Sequence, residues 1–267
     1  MPEKLGVWIY AVTGSLPGEQ LGGVTGVGGG PVRTVEGAGL VAVVSSVDLT
    51  TFGEEPLRRN LEDLAWLETT ARAHHEVINT VSRVGPIVAM RLATVYRDDS
   101  RVAAMLSERR EELTAALRRI AGRTEFGVKA YAEVTGLPRV PGPGADAPAQ
   151  PAGAVPGPGP GTAYLRRRRA QLATRDQMLQ TAATDADAVH AALGGLAEAA
   201  RRYVPQHPQL TGESAAMVLN GAYLVDADRA DEFVATVRAL DDQHSAVRLE
   251  LTGPWPPYSF AAVAETS

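Results

Sequence analysis

Cysteine is absent from the 267 residues, which excludes disulfide stapling, thiolate nucleophiles, thiolate metal sites and iron–sulfur ligation. Lysine is nearly absent, with Lys4 and Lys129 alone, so arginine supplies almost all the positive charge. Aromatic residues make up only 5%, which leaves little material for stacking on nucleic-acid bases. The net charge of -5 gives no global reason to expect a nucleic-acid partner. No apolar run reaches the roughly 18–20 residues that span a bilayer, and no basic stretch followed by an apolar run opens the chain. Neither membrane insertion nor export is expected, and the reading is a cytoplasmic protein.

Apolar residues account for 45% of the chain, although much of this is alanine, which buries little area, so the larger residues must build the core. The length suits two ordinary cores better than one large one. Leu5–Val12 and Gly39–Val47 are short β-branched and aromatic runs that read as strands, and Val32–Glu36 reads as a third. The glycine-rich Leu21–Pro31 lies between them as a turn region. From Leu57 onward, apolar residues at Leu61, Leu64, Leu67, Ala71, Ile78 and Val81 follow helical spacing, ending near Arg83–Pro86. Ile87–Tyr96 reads as one strand. Ser100–Ala121 reads as one helix that bridges the two units, with Gly122 as its stop.

In the second half, Glu125–Val134 is a strand and Pro138–Gly161 is a proline, glycine and alanine tract with no core-forming material. Tyr164–Arg202 is predominantly helical, with a stripe of Leu165, Leu172, Leu179, Ala186, Val189, Leu193 and Leu196. His207–Leu210 and Ala215–Val225 are strands, Asp228–Leu240 a helix and Ala246–Leu251 a strand. The order βαββαβ is that of a ferredoxin-like domain, with the proline-rich tract as an insertion in its first crossover. The fold class is therefore α+β: an N-terminal mixed α/β domain over 1–121 and a ferredoxin-like domain over 122–267, including the 138–161 insertion and a C-terminal aromatic arm.

Motifs that could carry chemistry have plainer readings. The glycine segment does not complete a dinucleotide fingerprint, because Pro31 stands where the third glycine would fall, and it has no phosphate-loop lysine. His74, His75 and Glu76 diverge by about 100° per residue on a helix and do not converge on one metal; His74 reads as a buried, hydrogen-bonded histidine. The run Arg166–Arg169 spreads around its helix as a solvated collar. Trp66 lies about 200° from Leu64 on the helical wheel, so it serves either a second packing surface or a partner. Leu251–Phe260 carries Trp255, Tyr258 and Phe260 among three prolines, which makes a stiff extended arm.

Several segments resemble one family in order along nearly the whole chain. They are Gly6-Val7-Trp8-Ile9-Tyr10-Ala11-Val12, Leu61-Glu62-Asp63-Leu64-Ala65-Trp66-Leu67 with Ala73-His74-His75, and Gly85-Pro86-Ile87-Val88-Ala89-Met90-Arg91-Leu92. Further on come Glu125-Phe126-Gly127-Val128-Lys129, Tyr164-Leu165 with the arginine run, Asn220-Gly221-Ala222-Tyr223-Leu224-Val225 and Leu251–Phe260. Together they resemble the gas-vesicle accessory family GvpL/GvpF. The resemblance implies a non-enzymatic accessory or minor component of gas vesicles, associated with the small hydrophobic shell protein GvpA and other gas vesicle proteins. It implies no cofactor, no metal, no nucleic acid and no lipid membrane. Trp66, Trp255, Tyr258 and Phe260 are the candidate partner-binding residues. The alternative is a cofactor-independent enzyme or a general ligand-binding module on the same fold, which turnover or a bound small molecule would favour.

Overall fold

The structure is a computed structural model that describes residues 5–16, 21–133, 160–205 and 215–261. It divides into two compact units, Met1–Glu125 with Pro254–Ser267, and Phe126–Gly253. The chain from Pro254 onward thus groups with the first unit, although it follows the second in sequence.

The first unit contains β1 (Leu5–Thr13), β2 (Val32–Gly37), β3 (Leu40–Asp48), α1 (Leu49–Phe52), α2 (Glu54–Asn60), α3 (Leu64–Ser82), β4 (Ile87–Ala89), β5 (Val95–Tyr96), α4 (Asp99–Glu108) and α5 (Arg110–Ile120). Its sheet runs β2-β3-β1-β4, with β5 also on β1, and the β1 and β2 pairings are antiparallel. Every residue of β1 after Leu5 is buried, because the sheet is covered on both faces. Val7, Ile9 and Val12 join Val102, Met105, Leu106, Leu113 and Leu117 of α4 and α5. Trp8, Tyr10 and Ala11 join Val77, Ile78 and Val81 of α3. The side-chain period of two breaks between Tyr10 and Ala11, where the pairing with β3 shifts register. Because one added residue moves every later side chain to the opposite face, Ala11 joins Trp8 and Tyr10 on one face and Val12 joins Val7 and Ile9 on the other.

The expected helices from Leu57 and from Ser100 are each divided in two. Asp63 accepts hydrogen bonds from the backbone N–H groups of Ala65 and Trp66, capping a new helix and ending the periodic run begun at Leu57. Leu64 consequently opens α3 with 80% of its surface exposed instead of joining the stripe. The second break falls at Arg109, whose backbone leaves the helical region. Val102, Met105, Leu106, Leu113, Leu117 and Ile120 are nevertheless buried, and α4 and α5 cover one face of the first unit's sheet. The single strand expected over Ile87–Tyr96 is two short ones, β4 and β5, separated by a turn with Ala93 at positive φ.

The second unit contains β6 (Arg123–Ala132), α6 (Pro160–Gly194), β7 (Ala199–Arg202), β8 (Met217–Asp226), α7 (Ala230–Gln243) and β9 (Val247–Trp255), in sheet order β7-β8-β6-β9. Phe126, Val128, Ala130 and Ala132 alternate along β6 so that one face meets both helices. On that face they pack with Ala182, Ala186, Val189 and Leu193 of α6 and with Phe233 and Val237 of α7. The helix expected to reach Arg202 ends at Gly194, where two consecutive glycines weaken it, and Ala199–Arg202 pairs with β8 as a strand. The strand expected over His207–Leu210 lies outside the described residues, as does the Pro138–Gly161 tract apart from Pro160 and Gly161, which begin α6. The aromatic arm is not extended throughout: β9 runs to Trp255, and after Pro256 and Pro257 the chain makes one helical turn, α8 (Tyr258–Ala261).

Candidate partner-binding surface

The glycine segment is fixed to the sheet by a tyrosine. Tyr10 Oη accepts from the Val27 N–H at 2.7 Å and shares a 2.6 Å hydrogen bond with Ser45 Oγ, which the hydroxyl can donate. Burial raises the pKa of Tyr10, with the Ser45 and Val27 bonds opposing the shift. Gly26 N–H donates to Gly30 O and Gly29 N–H to Gly26 O, so these donors serve the turn itself. A Cβ at Gly26 would overlap the Tyr10 hydroxyl and Ser45. Gly26→Ala is accordingly expected to cost about 1–3 kcal/mol, as overpacking of a buried site does. Denaturant unfolding checks this; a loss below about 0.5 kcal/mol would show that the segment relaxes freely.

His74 is 6% exposed and holds two buried elements together. Trp8 Nε1–H donates to His74 Nδ1 at 3.0 Å, which leaves Nε2 as the protonated nitrogen donating to Met90 O at 3.2 Å. The imidazole is therefore neutral. Burial lowers its pKa, with the Met90 hydrogen bond working in the opposite sense. His75 is exposed, and its ring lies 6.3 Å from Tyr258. Among the described residues no group of three or more His, Asp or Glu side chains is placed to hold a metal ion.

Aromatic rings lead from this histidine to the surface. His74 lies 5.9 Å from Trp8, Trp8 lies 5.7 Å edge-on from Phe52, and Phe52 lies 5.7 Å from Trp66. Trp66 is the half-buried outer member of the series, with Leu61 and the exposed Leu64 close by in sequence. Its packing against Phe52 makes it part of the first unit's core margin.

The C-terminal segment is tethered at several points. Thr124 Oγ1 donates to Trp255 O at 3.1 Å, and the Ser259 N–H and hydroxyl both donate to the Glu125 carboxylate at 2.9 and 2.6 Å. Tyr258 Oη donates to Asn79 Oδ1 at 3.2 Å, and burial raises its pKa. Phe260 is 2% exposed and so is a core residue, unavailable to a partner in this conformation. Trp255, by contrast, keeps 57% of its surface exposed on a backbone held from both sides. Sequence reasoning had no signal that separates Trp255 from Phe260, since both sit in the same proline-rich stretch.

The second unit has its own polar group at the α6–sheet junction. His190 Nδ1 lies 2.7 Å from Tyr223 Oη, and Arg202 donates to Asp187 at 2.6 Å and to Val218 O at 3.2 Å. Burial raises the Tyr223 pKa far above its usual value and, with the Arg202 charge, lowers that of His190.

With this geometry in place, similarity to known proteins is specific. The profile described as "Gas vesicle synthesis protein GvpL/GvpF" matches residues 6–262. The chain belongs to the GvpL/GvpF family. Gas vesicle protein L of Streptomyces sp. (strain CB03234) is 42% identical over 97% of this chain and 93% of its own length. Gas vesicle protein F of the same strain is 32% identical over 92% of this chain and 93% of its own. The crystal structure of GvpF from Anabaena sp. PCC7120 superposes with a TM-score of 0.65, covering 97% of this chain and 99% of that one at 16% identity, which establishes a shared fold. For this GvpL/GvpF member, family membership supports a role in gas vesicle assembly. Among the described residues no helix is long and apolar enough to cross a membrane.

Proposed function

We propose that this chain is a cytoplasmic, vesicle-associated assembly factor without enzymatic activity that captures the small hydrophobic shell protein GvpA. Its second unit is a ferredoxin-like domain, on the strength of the βαββαβ element order and the sheet order β7-β8-β6-β9. Covering an aggregation-prone apolar surface until it is handed to the growing shell requires exposed apolar side chains that are already ordered.

The observation that carries this reading is Trp255. Large and exposed, it stands on a backbone anchored through Thr124, Glu125 and Asn79, so little conformational freedom is lost when a partner covers it. Tryptophan is also the side chain most enriched among interface hot spots. Trp255→Ala is expected to weaken binding of purified shell protein by more than about 1 kcal/mol, roughly fivefold or more, with the unfolding midpoint unchanged. Trp66→Ala should lower stability first, because its ring supports Phe52. Titration beside thermal unfolding distinguishes the two. Undiminished affinity in a folded Trp255→Ala variant would remove Trp255 from the capture surface.

A further inference from the structure

The outer half of α6 does not take part in the second unit's core. From Leu165 to Met178 none of its described side chains is buried, whereas Leu179 packs at the core's margin and Ala182, Ala186, Val189 and Leu193 further along are all in the core. A helical stretch of about 21 Å, at roughly 1.5 Å per residue, is therefore carried without the tertiary packing that ordinarily stabilises helices.

This outer half is patterned all the same. Leu165, Leu172 and Leu179 recur every seven residues and continue in register into the buried Ala186 and Leu193. Leu165 and Leu172 are 55% and 49% exposed. Three residues after each of these leucines comes Arg168, Arg175 and then Ala182, so the stripe alternates leucine and arginine until it reaches the core. A seam of this spacing is what one helix presents to another. It is too narrow and too interrupted by charge to lie in a bilayer interface, which takes a broad apolar face.

Charge identifies what fits the seam. On the first unit's helices Arg58 and Arg72 each pair with an acid within one turn, Glu55 and Glu68. Arg166, Arg168, Arg169 and Arg175 are exposed, and no Asp or Glu lies three or four residues from any of them. A second copy of this stripe would set arginine against arginine. A partner helix with carboxylates at the seam would satisfy both the leucines and the forked guanidinium groups.

We infer that the outer half of α6 is a docking site for an acidic amphipathic helix of a partner protein, with Leu165, Arg168, Leu172 and Arg175 as its reading residues. The inference does not depend on the capture surface at Trp255, and its test uses no shell protein, so either can fail alone. The probe is a labelled 21-residue helical peptide with leucine and glutamate alternating at its seam, set beside the same peptide with lysine for glutamate. Titrated against the full chain by anisotropy, the glutamate peptide is expected to bind at least tenfold more tightly than the lysine one. Leu165→Glu with Leu172→Glu should weaken it at least tenfold at an unchanged unfolding midpoint, since both residues are exposed. Arg168→Glu with Arg175→Glu should reverse the preference. Equal binding of the two peptides, insensitivity to the leucine replacements, or tighter binding to phosphatidylserine vesicles or a DNA duplex than to the glutamate peptide would overturn the inference.

Discussion

Replacing His74 with leucine is expected to destabilise the protein by about 2–5 kcal/mol, because it strands two buried polar groups at once. Trp8 is fully buried and its indole N–H has His74 Nδ1 as acceptor, while Met90 O receives the opposite ring nitrogen. Leucine fills the space but offers neither partner. His74→Gln, which carries an acceptor and a donor on one side chain, should recover part of the loss. Acid acts on the same site. Protonation would place a hydrogen on Nδ1 facing the Trp8 N–H, two donors opposed in a dry pocket. The folded-state pKa therefore lies below the ordinary histidine value near 6.5, and the unfolded chain binds the proton more readily. This contribution to stability is complete above pH 6.5, declines as pH falls below it, and is lost once pH passes the folded value. His190, whose pKa is also lowered, adds a slope of the same sign. Unfolding free energies of the wild-type and His74→Gln proteins between pH 7.5 and 5 isolate the His74 share as the difference in slope. Parallel curves would mean that His74 does not report burial in this way.

Phe233→Ala should cost about 3–5 kcal/mol, the range for deleting a large aromatic from a packed core. Phe233 is 1% exposed and lies where both helices meet the second unit's sheet, its ring stacked 5.1 Å from Phe126 and tilted against Tyr223 at 5.5 Å. Its neighbours are strand residues of β6 and β8, whose backbones cannot move to close the cavity without giving up sheet hydrogen bonds. Phe233→Leu, which leaves a smaller void, should lose clearly less. Urea unfolding followed by circular dichroism measures both. A penalty under 1 kcal/mol for the alanine variant would show that this cluster does not hold the second unit together.

Much of the architecture was legible because hydrophobic period is a local signal. The runs at Leu5, Gly39 and Glu125 formed strands where expected, and Phe233, Val237 and Leu240 supplied the buried stripe of α7. What escaped notice was decided by single residues acting on the backbone. Asp63 captured two N–H groups and divided a helix whose leucines kept the right spacing, so Leu64 reads as core in sequence and stands exposed in the fold. The strand Ala199–Arg202 was hidden because alanine and arginine have little strand preference, and only pairing with β8 makes it one. The buried role of His74 followed from its place on the helix, whereas its partners Trp8 and Met90 are 66 and 16 residues away and no local pattern announces them. The same limit applies to the aromatic arm. Its composition marked it as a place for large side chains, but the contrast between buried Phe260 and exposed Trp255 is set by contacts with Glu125, Asn79 and α5.

Capture of the shell protein is tested most directly by co-expressing the intact chain with GvpA, purifying the chain and mapping crosslinks in whatever complex remains. The account predicts a complex that survives purification, with crosslinks from GvpA clustered on the residues flanking Trp255 and depleted in the Trp255→Ala variant. A folded, monodisperse chain that recovers no GvpA, or a complex whose crosslinks avoid the Trp255 segment and persist unchanged in Trp255→Ala, would contradict it.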